Sequence, residues 1–131
     1  MNSGLQFEIH PARLAIARLP ADAPFPAWAR GDFVTLSRTR AELSVICDQG
    51  QVPAEVVQER DRIAFGIVGV VPMTTIGLLA ALCGALAAAE VPVFVVSTYD
   101  TDWLLVHADR FRAARAALEA AGHSFVGSTP A

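Results

Sequence analysis

Two short segments of the chain hold the residues best suited to grip a small polar molecule. Ser97-Thr98-Tyr99-Asp100-Thr101-Asp102 gathers hydroxyls and two carboxylates in one stretch. Carboxylates there can accept charge-assisted hydrogen bonds from an ammonium group. Gly69-Val70-Val71-Pro72-Met73-Thr74-Thr75 leads into a long apolar run, and Thr74 or Thr75 can cap a helix that opens at this point. Such a helix start would offer free backbone N–H groups and the positive end of a dipole to a carboxylate. If the two segments lie at neighbouring strand ends, they could hold a zwitterion between them. The candidate ligand-binding set is therefore Gly69, Val70, Val71, Pro72, Met73 and Thr74 with Ser97, Thr98, Tyr99, Asp100 and Asp102. The same residues also have a structural use, since Thr74 can be only a cap and Asp100 only a turn former. The two uses are compatible.

Other chemistries find little support. The chain has no lysine, which removes Schiff-base catalysis and the phosphate-loop lysine. His10, His107 and His123 are scattered over strand ends, and no serine or cysteine stands in a nucleophile setting such as GxSxG. Cys47 and Cys83 match no CxxC or zinc spacing; they read as small hydrophobes in a reducing cytosol. Asp100 and Asp102 could face a divalent cation, but no third ligand stands near them in the sequence. Gly66 and Gly69 lack the third glycine of a dinucleotide fingerprint. Trp28 and Trp103 read as core or interface aromatics. The expectation is a binding protein with no catalytic residues, no metal and no cofactor.

Arginine supplies every basic charge, and the net charge is −3. A surface able to neutralise phosphates is missing, which argues against nucleic acid as a partner. Hydrophobic residues make up 53% of the chain and charged residues 18%, more apolar than an average soluble domain. That excess points either to a subunit interface or to a membrane segment. Ile63–Ala89 carries no charge and is long enough to span a bilayer. Gly66, Gly69 and Pro72 interrupt it, so it splits into a strand and a helix, and no membrane partner is expected. Met1–Leu5 has no basic region followed by an apolar run, and the expected location is the cytoplasm.

The elements that must position the two segments follow from hydrophobic periodicity. Leu5, Phe7 and Ile9 alternate with polar residues, the pattern of a half-buried strand, and after Pro11 Leu14 and Ile16 resume the alternation toward Leu19. Pro20, Pro24 and Pro26 mark a loop that leads to Trp28. Phe33–Ser37 and Glu42–Cys47 read as a hairpin, and Pro53–Glu59 as a helical turn or a linker. From Arg62 on, the pattern predicts a strand to Val68, then a helix from Thr74 or Thr75 to about Ala89. It continues with a strand Val93–Ser97, a strand Trp103–His107, a helix capped by Asp109, and a last strand His123–Val126. Ile76, Leu79, Cys83 and Leu86 make one helical stripe, and Leu78, Leu82 and Ala85 occupy the other side. That helix should be buried nearly all round. Strand, helix, strand, strand, helix, strand is the order of an α+β, ferredoxin-like half-domain. The expected division is residues 1–60, mostly strands, and residues 61–127.

The stretch Phe94–Val106, with its S-T-Y-D-T-D turn between two apolar strands, resembles the second ACT domain of small bacterial tandem ACT proteins. These are similar to the CASTOR-type amino-acid sensors. Weaker likeness extends through Arg38-Thr39, Glu42–Cys47 and Pro26–Ala29. The resemblance implies two ACT-like halves, a non-catalytic regulatory role, frequent dimerisation and an amino-acid ligand held where the halves meet. It carries ligand contacts onto the Gly69–Thr75 loop and onto Thr98, Tyr99 and Asp102. One feature departs from the family pattern: Pro72-Met73-Thr74 stands where relatives commonly have an acidic residue, an apolar residue and a serine. The alternative function is a ligand-free interaction module, a homodimer formed through helix 74–89 or through sheet edges.

Overall fold

The computed structural model describes residues 4–131. It contains eight strands and two α-helices, an α+β fold as expected. The strands are β1 Gln6–Ile9, β2 Leu14–Leu19, β3 Thr35–Arg38, β4 Leu43–Asp48, β5 Val57–Ile67, β6 Phe94–Ser97, β7 Asp102–His107 and β8 Ser124–Val126; the helices are α1 Leu78–Ala88 and α2 Phe111–Ala120. The chain forms two compact units, one of residues 12–62 and one made of the segment up to Pro11 together with residues 63–131.

In the second of these units the order β5-α1-β6-β7-α2-β8 is the ferredoxin-like βαββαβ pattern. Its strands pair in the order β6-β7-β5-β1-β8. The N-terminal strand β1 is thus inserted between β5 and β8, antiparallel to the first and parallel to the second. The expected division at residue 60 kept this strand with the N-terminal half. Its alternation explains where it goes. Phe7 and Ile9 turn one face into the same core as Phe65, Leu82, Leu86, Phe111, Leu118 and Phe125. The Phe7 ring stands edge-on to Phe65 at 5.3 Å and lies 5.2 Å from Phe125. Phe65 in turn meets Phe111 at 5.9 Å. Aromatic packing of this kind adds to area burial, so β1 contributes to this core rather than to the other.

The unit of residues 12–62 holds β3, β4, β2 and the first half of β5 in that order. It has no α-helix. Ala15, Ala17, Leu43, Val45, Cys47 and Val52 form its core. The expected hairpin is present, with Thr39 N–H donating to the Glu42 carbonyl at 2.9 Å. Residues read as a turn or linker form the start of β5 instead, which begins at Val57. Val57-Gln58-Glu59-Arg60-Asp61-Arg62 has the polarity of a loop, but it pairs with β2 through Leu14↔Arg62 and Ile16↔Glu59. The register shift between these pairs is a bulge, and Asp61 sits in it at φ 61°. Its carboxylate accepts from Arg13 Nη1 at 3.0 Å and Gln49 Nε2 at 3.2 Å, while its N–H donates to Gln49 Oε1 at 2.7 Å. These bonds hold an aspartate in a backbone region that aspartate tolerates better than most residues.

Helix α1 departs from expectation in two ways. It starts at Leu78, not at Thr74 or Thr75, because Gly77 at φ 82° makes the entry and residues 72–76 form turns before it. Thr75 N–H donates to the Pro72 carbonyl, and Ala81 N–H to Gly77 is the first helical bond. Ile76, placed in the buried stripe by spacing, is 95% exposed. Nor is the helix buried all round: only Leu82 and Leu86 are enclosed, and Ala80, Ala81, Gly84, Ala87 and Ala88 face solvent. Small side chains satisfy an apolar pattern while exposing little apolar area, so the pattern alone overstated burial. Helix α2 also begins later than read: Ala108–Arg110 is a short 3-10 turn, and His107 Nδ1, not Asp109, accepts at its start. At the other end Gly122 takes φ 100°, and His123 N–H returns to the Leu118 carbonyl, as a helix-ending glycine should.

Candidate functional site

The two segments singled out by sequence both contribute to one cavity of about 370 Å³ in the βαββαβ unit. From the first, Val71, Pro72 and Met73 line it; from the second, Ser97, Thr98 and Asp102 do so. Gly69, Val70, Thr74, Tyr99 and Asp100 do not line it. Val70 and Tyr99 instead point outward, the latter 83% exposed. The remaining wall comes from residues outside the expected set: Thr75, the helix entry at Gly77, Leu78, Leu79 and Ala80, and Thr101 in the turn. The first turn of α1 joins the wall because the helix starts at Leu78, beyond the Thr74 or Thr75 start that the sequence predicts.

Local bonds explain how the segments hold their shapes. The turn closes on itself: Thr98 N–H donates to the Thr101 carbonyl at 2.8 Å, and Thr101 N–H to Thr98 Oγ1 at 3.4 Å. Thr101 Oγ1 reaches across to donate to the Ile67 carbonyl at the end of β5, 2.8 Å away. Val71 N–H donates to the Asp100 carbonyl at 2.7 Å, tying the loop to the turn by backbone alone. Asp100 therefore contributes its carbonyl to the architecture of the site, not a carboxylate to its lining. Ser97 Oγ donates to Asp102 Oδ1 at 2.6 Å. The second carboxylate oxygen of Asp102 has no hydrogen bond among the described residues.

Electrostatically the cavity is simple. Asp102 is the one ionisable residue in its lining, and it is half-buried. The amides of Leu78, Leu79 and Ala80, residues that also line the cavity, precede the first helical hydrogen bond and have no helical partner one turn back. The lining thus combines a carboxylate that can take a positive group with amides that can take a negative one. Among the described residues no group of three or more His, Cys, Asp or Glu side chains could hold a metal ion. No described helix is long and apolar enough to cross a membrane.

A family model described as the ACT domain matches residues 57–120, from the start of β5 to the end of α2. The protein Atu0741 from Agobacterium tumefaciens, whose structure is solved, is 32% identical; the match covers 95% of this chain and 94% of that one with a TM-score of 0.89. This chain is of one family with Atu0741, and its residues 57–120 are an ACT domain. A second family model, described as an N-terminal domain, matches residues 13–55 of this ACT protein, within the helix-free unit. The ACT fold extends to more distant structures. The Vibrio cholerae protein VC0802 is 15% identical with a TM-score of 0.71, the match covering 91% of each chain. The regulatory subunit of aspartate kinase from Thermus flavus is 14% identical with a TM-score of 0.65, over 92% of this chain and 99% of that one. No curated protein matches the sequence significantly.

Proposed function

We propose that this ACT protein is a non-catalytic regulatory domain that binds a free amino acid in the cavity between the Val71–Ala80 segment and the Ser97–Asp102 turn. The observation that carries the reading is the pairing, in one cavity, of a single carboxylate with the open amides of a helix start. The ammonium group of the ligand meets Asp102, and its carboxylate meets the amides of Leu78 and Leu79. The ACT match supports a regulatory module that binds small ligands. So does the fold likeness to a chain named as the regulatory subunit of aspartate kinase, and the resemblance of the S-T-Y-D-T-D turn to that of CASTOR-type sensors points the same way. The unit of residues 12–62 is then a reduced, helix-free ACT-like half, and the protein works in the cytoplasm, where it reports an amino-acid level to a partner. Binding regulates only through different affinity for two states of the protein.

The test is Asp102→Asn, which keeps the shape and the partnership with Ser97 but removes the charge. A hydrogen bond to a charged group contributes about 1.5–3 kcal/mol, so affinity for the preferred amino acid should fall about 10- to 150-fold by calorimetric titration, with an unchanged circular dichroism spectrum. Equal affinity in the variant would refute this site.

A second reading, a homodimer formed through α1, is favoured by one observation. The solvent side of this helix consists of Ala80, Ala81, Gly84, Ala87 and Ala88, with no polar residue to keep it in water. Small residues allow close helix approach, and the two readings can hold together in one dimeric sensor.

A further inference from the structure

We infer that the cavity selects an amino acid whose side chain is uncharged and aliphatic, an inference that rests on the amino-acid reading above. Asp102 is the only ionisable residue lining the cavity, and the ligand's ammonium group occupies it. No second carboxylate is left for a guanidinium or a lysyl ammonium. No arginine or histidine stands in the lining to meet an acidic side chain. A charged side chain entering here would lose water and gain no partner, which is unfavourable. The hydroxyls of Ser97, Thr98 and Thr101 in the wall are spent on Asp102, the Thr101 carbonyl and the Ile67 carbonyl; apart from Thr75, the larger side chains that remain are apolar: Val71, Pro72 and Met73 from the loop, Leu78 and Leu79 from the helix. At about 370 Å³ the cavity lies at the small end of ligand sites, a size suited to one branched side chain.

The expected order of affinity follows from buried methylenes. Each contributes about fourfold in binding, so leucine and isoleucine should bind more tightly than valine, and valine more tightly than alanine. Thermal-shift titration of the full chain with leucine, valine, alanine, serine, arginine and glutamate tests this. The expected result is a graded aliphatic series, with arginine and glutamate at least tenfold weaker than leucine. Met73→Glu then replaces part of the apolar wall by a carboxylate at a position 74% exposed, where the fold tolerates it. It should weaken leucine at least tenfold and raise the response to arginine. Arginine, glutamate or serine binding the unmodified protein as tightly as leucine would overturn the selectivity and leave the amino-acid site standing. Unchanged leucine affinity in Met73→Glu would likewise overturn it, by removing Met73 from the wall. No response to any amino acid would overturn both this inference and the amino-acid reading.

Discussion

Gly66→Ala offers a direct check on how β5 and β7 meet. A Cβ built at Gly66 would lie 2.6 Å from Cδ2 and Cε2 and 2.7 Å from Cε3 of Trp103. Carbon atoms in favourable contact sit about 3.5–4.0 Å apart, so the indole would have to retreat by about 1 Å. Trp103 has little freedom to do so, because it belongs to β7 and stands opposite Val96 of β6. Overpacking of this kind typically costs about 1–3 kcal/mol. For a chain of this size each kcal/mol shifts the melting temperature by about 3–6 °C, so the variant should melt roughly 3–18 °C lower. Near-ultraviolet circular dichroism should change with it, since the indole environment is altered. The double variant Gly66→Ala, Trp103→Leu isolates the cause. With the ring gone, the alanine has room, and the two changes together should cost less than the sum of the single costs by about 1 kcal/mol or more. A Gly66→Ala protein with unchanged melting temperature and spectrum would show that the indole does not lie on this glycine.

Two further perturbations probe other parts of the chain. Burial, and secondarily the Asp48 carboxylate, push the Cys47 thiol above its ordinary pKa of 9.0. The folded state therefore holds this proton longer than the unfolded state, and stability should be full below about pH 9 and decline as pH rises further; chemical unfolding from pH 7 to 10.5 should show the decline, and Cys47→Ser should flatten it. Gly84→Glu places a charge on the outer face of α1 where a Cβ meets nothing within 4 Å; a homodimer through that face should sediment as a monomer in the variant, while an unchanged mass with a native spectrum would count against α1 as the interface.

The sequence made the C-terminal βαββαβ order legible because each element carries its own signal. Arg62–Val68 is β-branched and apolar, the hairpin turn is dense in hydroxyls and acids, and Phe111, Ala114 and Leu118 keep helical spacing. Pairings between distant strands carry no such signal. The alternation of Gln6–Ile9 says that one face is buried, but not against which core, and only the packing of Phe7 on Phe65 and Phe125 decides it. The charged start of β5 was hidden for a related reason: Glu59, Arg60 and Arg62 form a strand because β2 offers backbone partners, not because their side chains prefer one. At the site, Thr74 and Thr75 look like caps, but a glycine three residues after Thr74 can take the positive φ that a helix entry from this direction requires.

That displaced helix start changes what the site residues do. The start at Leu78 brings the first turn of α1 into the cavity wall. Thr98 and Thr101, meanwhile, are occupied in closing the turn and in holding it to β5. Ser97 is occupied with Asp102. Of the polar groups crowded into S-T-Y-D-T-D, the side chains that were expected to bind mostly build the turn, and a single carboxylate is left directed at the cavity. A motif rich in hydrogen-bonding groups therefore presents a site with one charge, hydroxyls mostly engaged within the turn, and apolar side chains from the loop and the helix. Recognition there depends on where Asp102 is held and on what Met73 and Leu79 exclude, more than on the number of hydroxyls nearby.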